Sequence, residues 1–319
     1  MNNENEHINN ELKDVDYSIR HLFQPKVILL IIFILVYSAI SALEILKVWD
    51  QKIKQSVQSI PGCPIQFSDY HYEFFMPKII INNISINQRC FRSQKNLNLS
   101  KLTINILGPS FSPFGVALRL KTNYQSNSIN SKVVLGFSSL ALLMESQKSD
   151  HSTSENIIDL SEISDFIPAV KLQGHIHIDH LFTEVSYGGL LNELRFNIAS
   201  NDLKLPTQSI NIFKVETIDI GSLLLQGELS DKKNLSLHKF TLGKEKSPII
   251  ANFSGSANLN QKMIAQSTLN IKGELGLSPE FQEKYAWTNF VFGKFDKKDK
   301  FYQIEVKGKI GSPQFNSPR

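Results

Sequence analysis

The chain has little cysteine, little tryptophan and a small net charge for its length. Its 319 residues include two cysteines and two tryptophans, and the formal net charge is +4. A nucleic-acid partner requires a strong basic stripe, so this charge balance argues against one. Two cysteines without histidines at ligand spacing do not form a zinc site.

The sequence also lacks the short motifs of the common enzyme classes. It contains no G-x-S-x-G elbow, no Walker A loop, no H-E-x-x-H helix and no G-x-G-x-x-G loop. The acidic residues are scattered over strand ends and turns, where solvated charges normally lie. We therefore expect a protein that is not an enzyme and that needs no cofactor.

One long apolar run lies near the N-terminus. Val27 to Leu43 reads VILLIIFILVYSAISAL without a charge, and Ile45 to Trp49 extends its apolar surface. Backbone groups in lipid must be hydrogen-bonded within their own segment, so we predict a transmembrane helix over 26–49. A cleaved signal peptide is the alternative. Its leader would be shorter and basic, whereas this leader is long and contains acidic residues.

The two sides of this predicted span carry equal numbers of basic residues, so charge does not set its orientation. Residues 1–25 are polar and have no periodicity, so we predict a disordered cytoplasmic tail. Residues 50–319 have the character of a domain, and long domains cross membranes largely regardless of charge. We therefore assign 50–319 to the far side of the membrane.

Both cysteines, Cys63 and Cys90, follow the apolar run. An oxidising compartment would allow them to form a disulfide, and their spacing suits a bridge between neighbouring strands. Two unpaired thiols are the alternative, and the sequence leaves both open.

Beyond residue 60 the apolar residues recur with a period of two. This alternation is typical of half-buried antiparallel strands. It is found in residues 79–86, 97–107, 116–120, 171–179, 194–199, 218–229, 235–242, 263–277 and 301–310. We predict a mainly β fold, a curved antiparallel sheet with few short helices. A polar loop at about 145–158 divides the chain into two parts, which we expect to belong to one continuous sheet.

Two short helices and a set of strand glycines complete this expectation. Ser161 can cap a helix that Pro168 stops, and Ser278 with Pro279 can begin one that runs to about Trp287. Glycines recur inside strands, each two residues before an apolar residue, and mark a bulge, a bend or a close approach. They are Gly174, Gly227, Gly273 and Gly308.

One dense polar cluster, His175, His177, Asp179 and His180, lies in a predicted strand. In a regular strand the first three of these side chains share one face. Two histidines at i and i+2 can bind a metal, but a site also needs further ligands and their supporting contacts. We favour the alternative, a solvent-facing polar stripe.

Four segments together resemble a known family. They are IQFSDYHYEFFMPKIIINNISI at 65–86, GPSFSPFGVALRL at 108–120, IDIGSLLLQGEL at 218–229 and EVKGKIGSPQF at 305–315. They look like the type II secretion system protein N family, which is similar to AsmA-like envelope proteins. The shared pattern is an apolar–Gly–x–apolar strand and a closing G-x-x-x-P.

The resemblance implies a single-pass inner-membrane protein with a β domain in the periplasm. It implies an accessory role in the machine that exports folded proteins across the outer membrane, with other inner-membrane secretion subunits as partners. It carries no catalytic residues. Its AsmA-like side implies the alternative of a lipid-handling protein, with phospholipid as its ligand.

Overall fold

The structure, a computed structural model, describes residues 64–73, 78–90, 96–146, 156–163, 171–210 and 213–318. The predicted tail at 1–25, the predicted span at 26–49 and Cys63 lie outside these residues. Within the described part of the chain, no helix combines the length and apolar character needed to cross a membrane.

Most of the described chain forms β-strands, which confirms the mainly β, antiparallel prediction. The strands are β1 (Ile65–Gln66), β2 (Asp69–Glu73), β3 (Lys78–Ile86), β4 (Leu97–Phe111), β5 (Phe114–Tyr124), β6 (Asn127–Gly136), β7 (Ser139–Glu145), β8 (Ile157–Asp159), β9 (His175–Ser186), β10 (Leu191–Leu205), β11 (Gln208–Ile210), β12 (Phe213–Val215), β13 (Ile218–Ser230), β14 (Asn234–Leu242), β15 (Ile249–Asn258), β16 (Thr268–Leu277), β17 (Lys297–Lys298), β18 (Phe301–Lys309) and β19 (Ser312–Asn316).

Helices are short, as predicted. They are α1 (Leu160–Ile163), α2 (Pro279–Lys284) and α3 (Trp287–Phe292), with 3-10 turns at Gln88–Cys90 and Ile264–Gln266. The Ser278 side chain accepts a hydrogen bond of 3.2 Å from the Phe281 amide, which is the predicted N-cap. The predicted single helix to Trp287 is wrong in its end, because the chain breaks at Tyr285 and α3 begins at Trp287.

Seventeen strands form one antiparallel sheet, and β11 pairs only with β12. From β3 to β6 each strand pairs with the next in the chain, and the same holds from β13 to β16. β9 and β10 join the two halves, and β16, β18 and β19 complete the far side. Connections between neighbours are therefore mostly hairpins, as expected of an up-and-down antiparallel sheet.

The polar loop does not interrupt the sheet. β7 and β8 both lie between β6 and β9, and both run antiparallel to these two strands. One strand position is thus filled by two segments of chain, and residues 147–155 between them lie outside the described residues. The sheet is therefore continuous across the loop at about 145–158, as predicted.

The alternation of strand direction gives the sheet two distinct ends. One end holds the turns at 112–113, 137–138, 187–190, 231–233, 259–267 and 310–311, and we call it the tip end. The other holds α2, α3 and the connections after β3, β5, β10, β14 and β16, and we call it the helix end. The chain enters the sheet at the helix end, because Ile65 pairs with Ile86.

Candidate functional site

One face of the sheet carries an apolar row that crosses it from β4 to β19. Each member is the direct cross-strand partner of the next, and all but one are apolar or glycine. The row is Ile106, Leu118, Val133, Leu142, Thr183, Leu194, Leu229, Leu235, Ala257, Leu269, Gly308 and Pro313. Because strand side chains alternate between faces, this row defines a single apolar face of the sheet.

The neighbouring row, one residue along each strand, lies on the opposite face and is mostly polar. It contains Asn105, Arg119, Lys132, Leu143, Phe182, Arg195, Glu228, Ser236, Ser256, Asn270, Lys307 and Gln314. The Arg195 guanidinium lies 5.3 Å from the centre of the Phe182 ring and covers that aromatic side chain. The two rows therefore differ in polarity over most of their length. The exception is around Phe182, where Ala117, Val134 and Ala141 form a small buried cluster on the second face.

The apolar face is covered most fully at the helix end. Leu160 of α1 and Tyr285 beside α2 are buried in a cluster whose partly buried members include Leu223 and Leu242. Phe292 of α3 lies 5.9 Å, between ring centres, from Tyr302 of β18. The helices thus close this end of the face with packed side chains.

The same face becomes less covered towards the tip end. In its middle, Phe196, Leu237 and Phe240 are half-buried rather than buried. Nearer the tips, Val116, Leu135 and Leu140 form the next cross-strand row and are 46%, 42% and 37% exposed. Apolar surface is therefore left accessible along a path from the middle of the face to the tips.

Strand glycines on this face allow aromatic rings of the adjacent strand to approach closely. A Cβ at Gly227 would lie 2.6 Å from Cζ of Phe196 on the adjacent strand, and one at Gly273 would lie 2.5 Å from Cδ1 of Phe253. Both glycines are the direct partners of these phenylalanines. The prediction of a close approach at strand glycines is confirmed at these two positions.

The residues of the predicted histidine cluster do not form a single site, because His175 and His180 pair with different carboxylates. A bulge in the pairing of β9 with β10 falls at Asp179, so the regular alternation of the predicted strand is interrupted there. His175 Nδ1 lies 2.6 Å from Asp202 Oδ2, and His180 Nδ1 lies 3.4 Å from Glu145 Oε1. Within the described residues no three His, Cys, Asp or Glu side chains converge to hold a metal ion.

The hydrogen bond to Asp202 raises the pKa of His175 above its ordinary value. The charged pair therefore stabilises the fold fully below pH 6.5, and this contribution is lost as pH rises through the folded pKa. Both side chains are about half exposed, so the effect on stability is small. We expect Asp202→Asn to lower the His175 pKa towards 6.5, measured by NMR titration of the imidazole. An unchanged titration curve would contradict this pairing.

A carboxylate on the polar face, that of Glu305, is nearly enclosed. Its oxygens lie 3.0 Å from Nζ of Lys272 and 2.9 Å from Nζ of Lys307, and its side chain is 7% exposed. The hydrogen bonds from Lys307 and Lys272 lower the Glu305 pKa. The Glu305 carboxylate thereby positions the two lysines beside an open cavity of about 720 Å³.

The two predicted disulfide partners differ in what the structure describes. Cys90 is disulfide-bonded and lies in the 3-10 turn after β3. Cys63 is the other cysteine of the chain and lies outside the described residues. Their pairing stays a prediction.

Asn156, which the sequence did not single out, has the most enclosed polar side chain among the described residues of the polar loop. It is 1% exposed, and its backbone lies in the left-handed region at φ 67°. Its side-chain NH2 group donates a hydrogen bond of 2.9 Å to the Glu145 carbonyl, and its side-chain oxygen accepts one of 2.8 Å from the Asn130 backbone amide. Asn156 therefore fastens the return of the loop to the end of β7 and to β6.

Comparison of the chain with family models, with curated proteins and with solved structures finds no match.

Proposed function

We propose that this protein is a non-enzymatic cell-envelope protein that holds lipid acyl chains against the apolar face of its sheet. The observation that carries the proposal is the apolar row from Ile106 on β4 to Pro313 on β19, backed by a mostly polar row. A face that only formed a sealed core would be buried throughout, whereas Phe196, Leu237 and Phe240 keep accessible surface. Phospholipid is the ligand class that matches a long and largely apolar surface.

The proposal requires the sheet to curve with this face on its concave side, and bulges in the pairing would favour such curvature. Register shifts occur between β4 and β5, between β9 and β10, and between β13 and β14. Such bulges bend strands and increase their twist. Each methylene group that leaves water on this face contributes about 0.8 kcal/mol, so a bound acyl chain would be held by area rather than by hydrogen bonds.

The membrane setting belongs to the same proposal and rests on the sequence. We propose that residues 26–49 anchor the chain in the inner membrane and that the sheet lies in the periplasm. The bilayer would then be the source of the ligand.

The test is native and lipid mass spectrometry of a fragment of residues 50–319. This fragment keeps both cysteines and the compact unit 65–319, which contains the whole sheet and its three apolar clusters. We expect it to carry phospholipid or fatty acid and to take up a dansyl-labelled fatty acid. A folded fragment that carries no lipid and leaves the probe in water would contradict the proposal.

A pair of variants locates the ligand. Leu237→Asp places a carboxylate on the apolar face, where burying its charge beside an acyl chain is strongly unfavourable. Ser256→Asp places the same group on the polar face one strand away, where the side chain is exposed. We expect Leu237→Asp to lose most probe binding and Ser256→Asp to keep it. Both variants should give the same far-UV circular dichroism spectrum, which shows that the fold is intact. Equal binding by both variants would place the lipid elsewhere.

A secretion-system role is the second candidate, and the edge of the sheet favours it. Within the described strands, β19 pairs only with β18, and its side chains are exposed. An open strand edge can accept a strand from another chain. Crosslinking in intact membranes should then recover other inner-membrane secretion subunits through β19, and failure to recover any of them would remove this candidate.

A further inference from the structure

Five exposed apolar or aromatic side chains gather on three adjacent hairpin turns at the tip end. We call them the tip cluster. Their exposed fractions are 84%, 60%, 82%, 63% and 45% for Phe111, Phe114, Phe137, Tyr187 and Leu190. Large apolar groups rarely lie this exposed and this close together on a protein that has only water around it.

The tip cluster is an ordered surface rather than a set of separate side chains. The Phe114 and Phe137 rings are stacked with their centres 5.6 Å apart, and Phe111 lies 6.4 Å from Phe114. The Tyr187 hydroxyl donates a 2.6 Å hydrogen bond to the Gly136 carbonyl, which joins the third hairpin to the second. The three turns therefore present their rings together.

The charges around the tip cluster identify its partner. The turns that carry the cluster, at 107–116, 135–140 and 186–191, contain no charged residue. The other described turns of the tip end, at 231–233, 259–267 and 310–311, contain one acidic residue, Asp231, against the basic Lys232, Lys233 and Lys262. Apolar groups that protrude beside basic residues suit the interface of an anionic bilayer, where each nearby lysine contributes about 1 kcal/mol.

We propose that the tip cluster inserts into the headgroup region of a phospholipid bilayer and docks the tip end of the sheet on that membrane. This contact goes beyond the holding of acyl chains and does not depend on it. The accessible row of Val116, Leu135 and Leu140 lies on the strands directly behind these turns. A docked tip end would therefore bring the open part of the apolar face next to lipid.

The experiment uses the full chain and a single tryptophan as reporter. Trp49 and Trp287 are replaced by phenylalanine, and Phe137→Trp supplies the reporter at the tips. The matched control is Phe290→Trp in the same background, because Phe290 is 91% exposed and lies on α3 at the helix end. Both substitutions exchange one exposed aromatic ring for another, so neither should disturb folding.

Each protein is reconstituted in two ways with phosphatidylethanolamine–phosphatidylglycerol vesicles. In one arm the vesicles themselves contain phospholipid brominated on its acyl chains, and in the other an excess of brominated vesicles is added afterwards. We expect the tryptophan at residue 137 to show a blue-shifted emission and at least twofold quenching in one of the two arms. The first arm reports docking on the membrane that holds the chain, and the second reports docking on another membrane. Residue 290 should show neither effect, and replacing phosphatidylglycerol with phosphatidylcholine should reduce the quenching at 137.

Three outcomes would overturn the proposal. Quenching at residue 137 that does not exceed quenching at 290 in either arm would show that the tips stay in water. A dimer that forms in detergent and disappears on Phe111→Ser and Phe114→Ser, without quenching at 137, would show that the tips bind a second copy of the chain. Quenching that vanishes in the Leu237→Asp background would report lipid held on the apolar face and would also count against docking.

Discussion

Replacing Asn156 with alanine is expected to lower the free energy of unfolding by about 2–5 kcal/mol. The substitution removes both hydrogen bonds that the Asn156 side chain makes, with the Asn130 amide and the Glu145 carbonyl, and each loss costs about 1–3 kcal/mol. Alanine also fits the left-handed backbone at φ 67° less well than asparagine does. Denaturant unfolding of the full chain, followed by far-UV circular dichroism, gives the difference.

Two further variants separate these causes. Asn156→Gly removes the side chain but accepts the left-handed backbone, so it should lose the hydrogen-bond contribution alone. Asn258→Ala removes an exposed asparagine whose side chain makes one hydrogen bond of 3.4 Å, and it should change stability by less than about 0.5 kcal/mol. If Asn156→Ala were as mild as Asn258→Ala, the loop would not depend on this residue.

The second large effect is expected at a strand glycine. Gly227→Ala should destabilise the sheet by about 1–3 kcal/mol, because overpacking forces neighbours out of place. Its new methyl group would lie 2.6 Å from Cζ of Phe196 and 2.5 Å from the Ser236 carbonyl oxygen. The carbonyl belongs to the backbone of β14, so rotation of the phenylalanine ring cannot by itself relieve the clash. Thermal unfolding compared with the unchanged chain measures the effect.

Gly188→Ala is the matched control for this substitution. Gly188 lies in a turn at the tip end. A Cβ added there would have the Ser186 hydroxyl oxygen as its nearest heavy atom, at 3.8 Å, which is an ordinary van der Waals distance. It should leave stability unchanged within about 0.5 kcal/mol. The further variant Gly227→Ala with Phe196→Ala tests the cause, since removing the ring should recover only the part of the loss that the ring imposes. Equal melting temperatures for Gly227→Ala and Gly188→Ala would show that the face tolerates the methyl group.

Strand alternation predicts the two faces of the sheet wherever the apolar residues are large. Residues 218–229 and 235–242 are predicted as strands and form most of β13 and β14. The strand β15 is not predicted, because its apolar-face positions include Ala251, Gly255 and Ala257, whose small side chains give little hydrophobic contrast. In β6, Ser131 stands where an apolar residue would continue the pattern.

Contacts between distant parts of the chain could not be read from periodicity. Where β7 and β8 share one strand position, the Asn156 side chain bonds to both the end of β7 and β6, and nothing in the local sequence signals these bonds. The bulge at Asp179 likewise depends on the register with β10. The predicted strand at 263–277 begins late, at Thr268, because Ile264–Gln266 forms a 3-10 turn instead.

The tip cluster is visible in the sequence only as scattered aromatic residues. Phe111 and Phe114 flank one turn, whereas Phe137 and Tyr187 are far along the chain, and only the meander brings their turns together. A strand pattern predicts which face a side chain occupies but not which turns become neighbours. Register and strand order supply that information.

The up-and-down path of the sheet also limits how such a molecule can change in length. The element pairs in close contact are almost all sheet neighbours, so a segment inserted at one turn disturbs little beyond it. An inserted hairpin adds one strand of each direction and keeps every later side chain on its original face. A single inserted strand would leave the following turn at the wrong end. Insertions and deletions in this chain would therefore widen or narrow the apolar face in steps of two strands, and each step would change its width by about 10 Å.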